Sequence, residues 1–266
     1  MQARLTAENL FPDGPLRRLG WHVDVFDEVD STNAYLLARA GDLPDGAVAC
    51  AEFQHAGRGR LGRRWEAPRG GSVLLSVLLK GPATSPLLRQ ATLLGAVAAC
   101  EAIEATTDCR PVLRWPNDLM IGGRKIGGVL VESTTVGGAA QRAVVLGIGV
   151  NCLQQRAHFA GPLADVATSL EIESPHAIDR LAVARGLLAR LDERLCVDAD
   201  EVAVMAEVLA AWKGRCDDVG RRVRLQHDRR TQSGTVLDIS EDGDLLVQLD
   251  DGGRRYFASA ATTRLV

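Results

Sequence analysis

Residues 54–71 read QHAGRGRLGRRWEAPRGG, five arginines and five glycines in eighteen positions with Glu66 as the only acid. Gly57, Gly59 and Gly62 stand at the spacing of the dinucleotide fingerprint G-x-G-x-x-G. That fingerprint works only where a strand precedes it and a helix opens within it, so that pyrophosphate rests on the helix N-terminus. An apolar strand at residues 47–53 does precede it. The chain continues as R-R-W-E-A-P, then Gly70, Gly71 and a second strand at residues 72–79 (SVLLSVLL). Pro68 argues against a helix. The order is therefore strand, loop, strand, which argues against a doubly wound dinucleotide fold. Glycine lets the backbone approach a ligand closely. Arginine carries a permanent charge on a fork of donors matched to phosphate or carboxylate. The net charge of the whole chain is −3, so positive charge is concentrated here rather than general. Such a loop is suited to closing over an anion.

A chain of 266 residues, 46% hydrophobic and 24% charged, can bury one large domain or one large and one small. No stretch approaches the ~18 consecutive apolar residues of a membrane span, and the N-terminus lacks the basic-then-apolar pattern of a secretory signal. Six cysteines lie scattered without a C-x-x-C pair, most of them in apolar segments, and five isolated histidines add no metal-ligand spacing. Neither a disulfide framework nor a zinc site is indicated. These features point to the cytoplasm.

Residues 21–29 (WHVDVFDEV) alternate and read as a strand. Asp30, Ser31, Thr32 and Asn33 then offer cap chemistry ahead of a helix ending near Gly41. A break at residues 82–86 leads to one long, largely buried helix at 87–105. Strands are expected near residues 111–115, 126–133 and 142–150, punctuated by glycine pairs at 122–123 and 137–138. Two helices are expected at 177–196 and 200–216. Beyond residue 216 come short alternating strands separated by DDG, EDGD and DDGG turns, the pattern of a small β-barrel or curled sheet. The strands of the first part are joined partly as hairpins, which argues for an α+β class.

Three further segments carry chemistry. R-W-P-N-D at residues 114–118 ends a strand with a proline, an amide and a carboxylate, a composition that also suits a plain turn. Lys125 stands just before Gly127 and Gly128 at the mouth of an apolar strand, so a ligand could lie on the backbone while the ammonium meets its negative end. In L-G-I-G-V-N, residues 146–151, glycines clear one face of a strand that ends in Asn151.

In this order and at these separations, these segments closely resemble the biotin protein ligases. The resemblance runs from about residue 21 to residue 151 and continues more weakly to the C-terminus. Lipoate ligases and octanoyltransferases share the fold but not, as a family, the Gly/Arg loop. The resemblance implies a mixed sheet with helices, the class II aminoacyl-tRNA synthetase-like catalytic fold, at residues 1–216. It adds a small SH3-like β-barrel at residues 217–266. It implies that biotin and ATP, with Mg²⁺, give biotinyl-5′-AMP, which acylates a lysine on a biotin carboxyl carrier domain.

Ser31, Thr32 and Asn33 match the segment that hydrogen-bonds the ureido head of biotin, with Gln54 as a neighbouring polar contact. Arg58, Gly59 and Arg60 match the loop over biotin and the adenylate phosphate, and Arg63 a further phosphate contact. Lys125 matches the lysine that binds the biotin carboxylate and the phosphoryl group, so Lys125 and Arg60 are the expected catalytic pair. Gly128 belongs to the biotin site. Trp65 matches the aromatic on adenine, and Asn151 an adenine contact. Asn117 and Asp118 match positions tied to nucleotide handling, with Asp118 toward Mg²⁺.

Arg114 stands where lysine is commoner in the family. Family members that also repress transcription carry an N-terminal helix-turn-helix. Residues 1–20 contain Pro12, Gly14, Pro15 and Gly20, too short and broken for that module, so a ligase-only form without specific DNA binding is expected. A homodimer is compatible with the resemblance. Lipoate or octanoate transfer is the alternative within enzymes. A nucleic-acid-binding module using the basic loop is the alternative outside them, and the net charge counts against it.

Overall fold

The apolar runs become strands of one mixed sheet in the computed structural model, which describes residues 4–138, 140–196 and 200–265. Helix α1 (Ala7–Leu10) precedes β1 (Val23–Val29), α2 (Thr32–Ala38), β2 (Val48–Gln54) and β3 (Ser72–Pro82). Next come α3 (Pro86–Arg89), α4 (Ala91–Thr106), β4 (Val112–Arg114), β5 (Asp118–Ile121), β6 (Arg124–Thr135) and β7 (Gln141–Asn151). Helices α5 (Leu170–Glu173), α6 (Arg180–Leu195) and α7 (Glu201–Arg215) lead to β8 (Arg222–His227) and β9 (Arg230–Ile239). The chain closes with β10 (Leu245–Leu249), β11 (Arg254–Phe257) and β12 (Thr262–Leu265).

The first seven strands lie in the order β1-β2-β3-β7-β6-β5-β4. β1 and β2 are parallel, with α2 as their crossover, and the remaining pairs are antiparallel. Strand alternation sorts the two faces. Val73, Leu75, Val77 and Leu79 of β3, with Leu146, Ile148 and Val150 of β7, enter the main core beneath α4 and α6. Leu78, Ala143 and Val145 point the other way, into a smaller cluster under Leu36 and Ala40 of the α2 segment. The rest of that second face is left open for a site.

Several boundaries differ from expectation for local reasons. The long helix is two, because Gln90 leaves the helical region (φ −110°, ψ 21°) between them, while Ser85 caps α3 and Pro86 begins it. The segment after W-P-N is a strand: β4 and β5 form a hairpin with Leu113 opposite Leu119, and the Gly122, Gly123 turn carries β5 into β6. Asp118 therefore sits in a ladder rather than a turn.

The C-terminal strands form one antiparallel sheet in the order β11-β10-β9-β8-β12, enclosing Leu225, Val236, Val247 and Phe257. Trp115 docks this sheet on the first. Its indole N–H donates to Gly243 O at 2.9 Å and its backbone N–H to Asp218 Oδ2 at 2.6 Å. At the other end, residues before β1 are pinned to the body. The Asp192 carboxylate accepts the N–H groups of Arg17, Arg18 and Leu19, and Glu52 accepts that of Leu5.

Candidate active site

The open face of the sheet is a cleft of about 660 Å³ whose floor consists of cross-strand rows. One row runs Leu74, Gly149, Gly128, Asp118, Arg114 across five strands, from apolar to charged. The next runs Ser76, Gly147, Leu130, and beyond it Leu78 and Val145 pass under α2, outside the cleft, with Glu132 at the end of their row. The two β7 glycines have specific occupants. A Cβ on Gly149 would lie 2.8 Å from the Trp65 ring, and one on Gly147 would lie 2.0 Å from Asn33 Oδ1. The missing side chains let Trp65 and Asn33 lie on the strand.

Ser31 caps α2 and accepts the Ala34 N–H, which fixes Thr32 and Asn33 in the first turn with all three buried. Thr32 N–H donates to Gln54 Oε1 at 2.8 Å, and the Thr32 hydroxyl meets Ser76 Oγ at 2.7 Å. Ser76 donates to Asn33 Oδ1 at 2.7 Å, while Asn33 Nδ2 donates to Leu130 O and to Glu132 Oε2. Neither Ser76 nor Glu132 falls in a segment that the sequence marks as chemical. A signal does exist, since each is a polar residue inside an apolar strand.

The Gly/Arg loop is folded over this network. Arg58 and Arg64 bridge as a small antiparallel pair around a 3₁₀ turn at Arg60–Gly62, where Leu61 adopts φ 56°. Arg58 pairs with Glu132 at 3.0 Å. Arg60 reaches Asn117 Oδ1 at 3.5 Å and donates to the carbonyls of Ser259 and Thr262 in the C-terminal unit. Burial pulls the Arg60 guanidinium below the usual arginine range, with Asp118 opposing that shift and Arg63 adding to it. Gly59 and the exposed Arg63 complete this side of the cleft.

Lys125 Nζ is paired with Asp118 Oδ1 and stands 5.7 Å from the centre of the Trp65 ring. The Trp65 indole N–H is buried and makes no hydrogen bond to the described residues. Asn117 clasps β6, its side-chain Nδ2 donating to Val129 O at 2.6 Å while its backbone carbonyl accepts the Val129 N–H. Every expected site residue borders the cleft except Asn151. That amide is buried at the end of β7, where it donates to Thr168 O and accepts from Gln154 and Ser72. An unforeseen wall comes from the C-terminal sheet, where Arg222, Arg224 and Arg264 face the same cleft.

The Biotin/lipoate A/B protein ligase family model matches residues 25–151, and the biotin protein ligase C-terminal domain matches residues 219–260. The biotin–[acetyl-CoA-carboxylase] ligase of Mycobacterium tuberculosis is 34% identical over 249 residues, covering 91% of this chain and 88% of that protein. The chain belongs to the biotin protein ligase family. Another relative, the bifunctional ligase/repressor BirA of Escherichia coli, is 33% identical over 235 residues, covering 87% of this chain and 70% of that protein. Among solved structures, the biotin protein ligase from Aquifex aeolicus in complex with biotin and ATP superposes with a TM-score of 0.74 at 26% identity. It covers 92% of this chain and 99% of that one. The family match thus spans both the sheet that floors the cleft and most of the unit that walls it.

Proposed function

We propose that this chain is an ATP-dependent biotin protein ligase. A biotin carboxylate oxygen attacks the α-phosphorus of ATP, the bond to the β-phosphate breaks, and pyrophosphate leaves biotinyl-5′-AMP behind. A lysine amine of a biotin carboxyl carrier domain then attacks the acyl carbon, gives up its proton and displaces AMP. One observation carries this reading: a buried neutral hydrogen-bonding pocket opens directly onto a cluster of cations within one cleft. A ureido head presents two N–H donors and a carbonyl, so it needs fixed acceptors and donors, which Ser31, Thr32, Asn33 and Gln54 supply. Two anions meeting in line need fixed cations, which Lys125, Arg58, Arg60 and Arg63 supply.

Lys125 takes the carboxylate and the transferring phosphoryl group, exchanging its Asp118 partner for the ligand. Gly128 leaves room for biotin against the strand. Trp65 stacks on adenine, and the ordered loop with Gly59 keeps water from a reactive mixed anhydride. Asn117 holds β6 in place beside the phosphates. Asn151 is buried outside the cleft lining, so its contribution is to fix the end of β7 near the base.

Mg²⁺ would arrive with ATP. It takes one or two protein carboxylates along with phosphate oxygens and water, and Asp118 is the one carboxylate among the described residues lining the main cleft. Bound there, the ion would neutralise charge on the departing pyrophosphate.

We keep the division of the chain at residue 216, with the C-terminal unit acting as a wall and a hold for Arg60. The cytoplasm, where ATP and the carrier are found, is the proposed place of action. Among the described residues no helix is long and apolar enough to cross a membrane.

The test is pyrophosphate release on mixing the protein with Mg-ATP and either biotin or lipoic acid, and then mass spectrometry of an added carrier domain. Biotin-dependent release with one modified carrier lysine is expected. Labelling by lipoic acid and not by biotin would overturn the reading.

A further inference from the structure

Glu132 has no part in the adenylation roles assigned to the cleft, yet its Oε2 oxygen joins two of the residues that do. The same atom accepts Asn33 Nδ2 at 2.9 Å and pairs with Arg58 at 3.0 Å. Asn33 belongs to the neutral pocket, and Arg58 to the loop. Before Arg58 the backbone holds the loop's entry, where the N–H groups of His55 and Ala56 donate to Val29 O and Asp30 O. A second hollow of about 500 Å³ lies between residues 56–64 and the β6 residues Leu130 and Glu132, and Leu61 at the loop tip is 58% exposed. Beyond Arg58 the loop is held by Arg60, on Asn117 and the C-terminal carbonyls, and by Trp65 lying on Gly149.

We propose that Glu132 is a positioning residue that latches the Gly/Arg loop through Arg58, competes with the ligand's anionic end for that guanidinium, and orients Asn33. The proposal rests on the biotin ligase reading for its ligand and on the observed ion pair for its latch. A guanidinium shared with a protein carboxylate must loosen that bond to turn fully toward a ligand. Closure over biotin therefore carries the cost of releasing Glu132. The pair is partly exposed, 39% and 25% at the two side chains, so that cost is modest and sensitive to salt.

Glu132→Gln keeps an oxygen for Asn33 and removes the charge opposite Arg58. Calorimetry without ATP is expected to show biotin binding about two- to fivefold tighter. Trypsin is expected to cut the loop of the biotin-free protein faster by a similar factor. Glu132→Ala should show the same faster cutting with weaker biotin binding than Glu132→Gln, because Asn33 loses its acceptor as well. The wild-type chain provides a check that needs no variant. Raising ionic strength from about 0.05 M to about 0.5 M should speed loop cleavage relative to an arginine-containing reference peptide. Unchanged loop cleavage in both variants, or biotin affinity in Glu132→Gln equal to or weaker than wild type, would overturn the proposal. Should no form bind biotin, the functional reading fails, and the cleavage rates still decide the latch.

Discussion

Lys125 stands where the two halves of the proposed chemistry meet, paired with Asp118 on one side and facing the Trp65 ring on the other. Lys125→Ala would leave a carboxylate and a phosphate without their fixed cation, and kcat/KM for pyrophosphate release is expected to fall about 10²- to 10³-fold. Near-normal release would reduce Lys125 to a structural partner of Asp118. Gly147 is as informative. A methyl group there would meet Asn33 Oδ1 at 2.0 Å, so Gly147→Ala must displace the amide from its bonds with Ser76 and Glu132. Losing hydrogen bonds in a buried pocket costs on the order of 1–3 kcal/mol. Calorimetry should show biotin binding weakened at least several-fold with the fold intact, and unchanged affinity would remove Asn33 from the pocket. Individual residue types are readable from the sequence because the chemistry concentrates in short segments. Asn151 is the one expected residue that lies off the cleft, and nothing local signals that its amide bonds Thr168, Gln154 and Ser72 instead.

At the scale of elements, the Gly/Arg loop lies over the cleft and Arg60 is its far anchor, held by the carbonyls of Ser259 and Thr262. Arg60→Gly removes that hold and the charge over the intermediate. The adenylate should still form but dissociate roughly 10- to 100-fold faster, a loss of about 1.5–3 kcal/mol for hydrogen bonds to a charged group. Free biotinyl-AMP would then label surface lysines of a bystander protein, whereas an unchanged dissociation rate would exclude clamping by Arg60. Strands with clear alternation are legible in the sequence, and so are the helices at α6 and α7, whose apolar spacing is regular. The β5 strand is hidden because proline, asparagine and aspartate speak for a turn, and only pairing with β4 and β6 makes it a strand. The break at Gln90 is hidden because both flanking helices are apolar, which leaves no periodicity to lose.

At the scale of the molecule, the site belongs to two sheets. The rows across β3, β7, β6 and β5 form the floor, and the C-terminal sheet supplies a basic wall through Arg222, Arg224 and Arg264. That wall is beyond local reading, since alternating arginines on short strands look like an ordinary solvated face. The segment before β1 is docked on the body through Asp192 and Glu52, and residues 4–22 hold one four-residue helix rather than a recognition module. DNA binding by this chain is therefore expected to be weak, non-specific and lost at physiological salt, with or without biotinyl-AMP. A salt-resistant, sequence-selective mobility shift would contradict that expectation. Most direct of all is a single-turnover experiment with radiolabelled biotin and Mg-ATP, passed through gel filtration before an acid quench. The label should co-elute with the protein as biotinyl-5′-AMP and move to one lysine when a carrier domain is added. Absence of a protein-bound adenylate under conditions that saturate both substrates would show that the cleft does not do this chemistry.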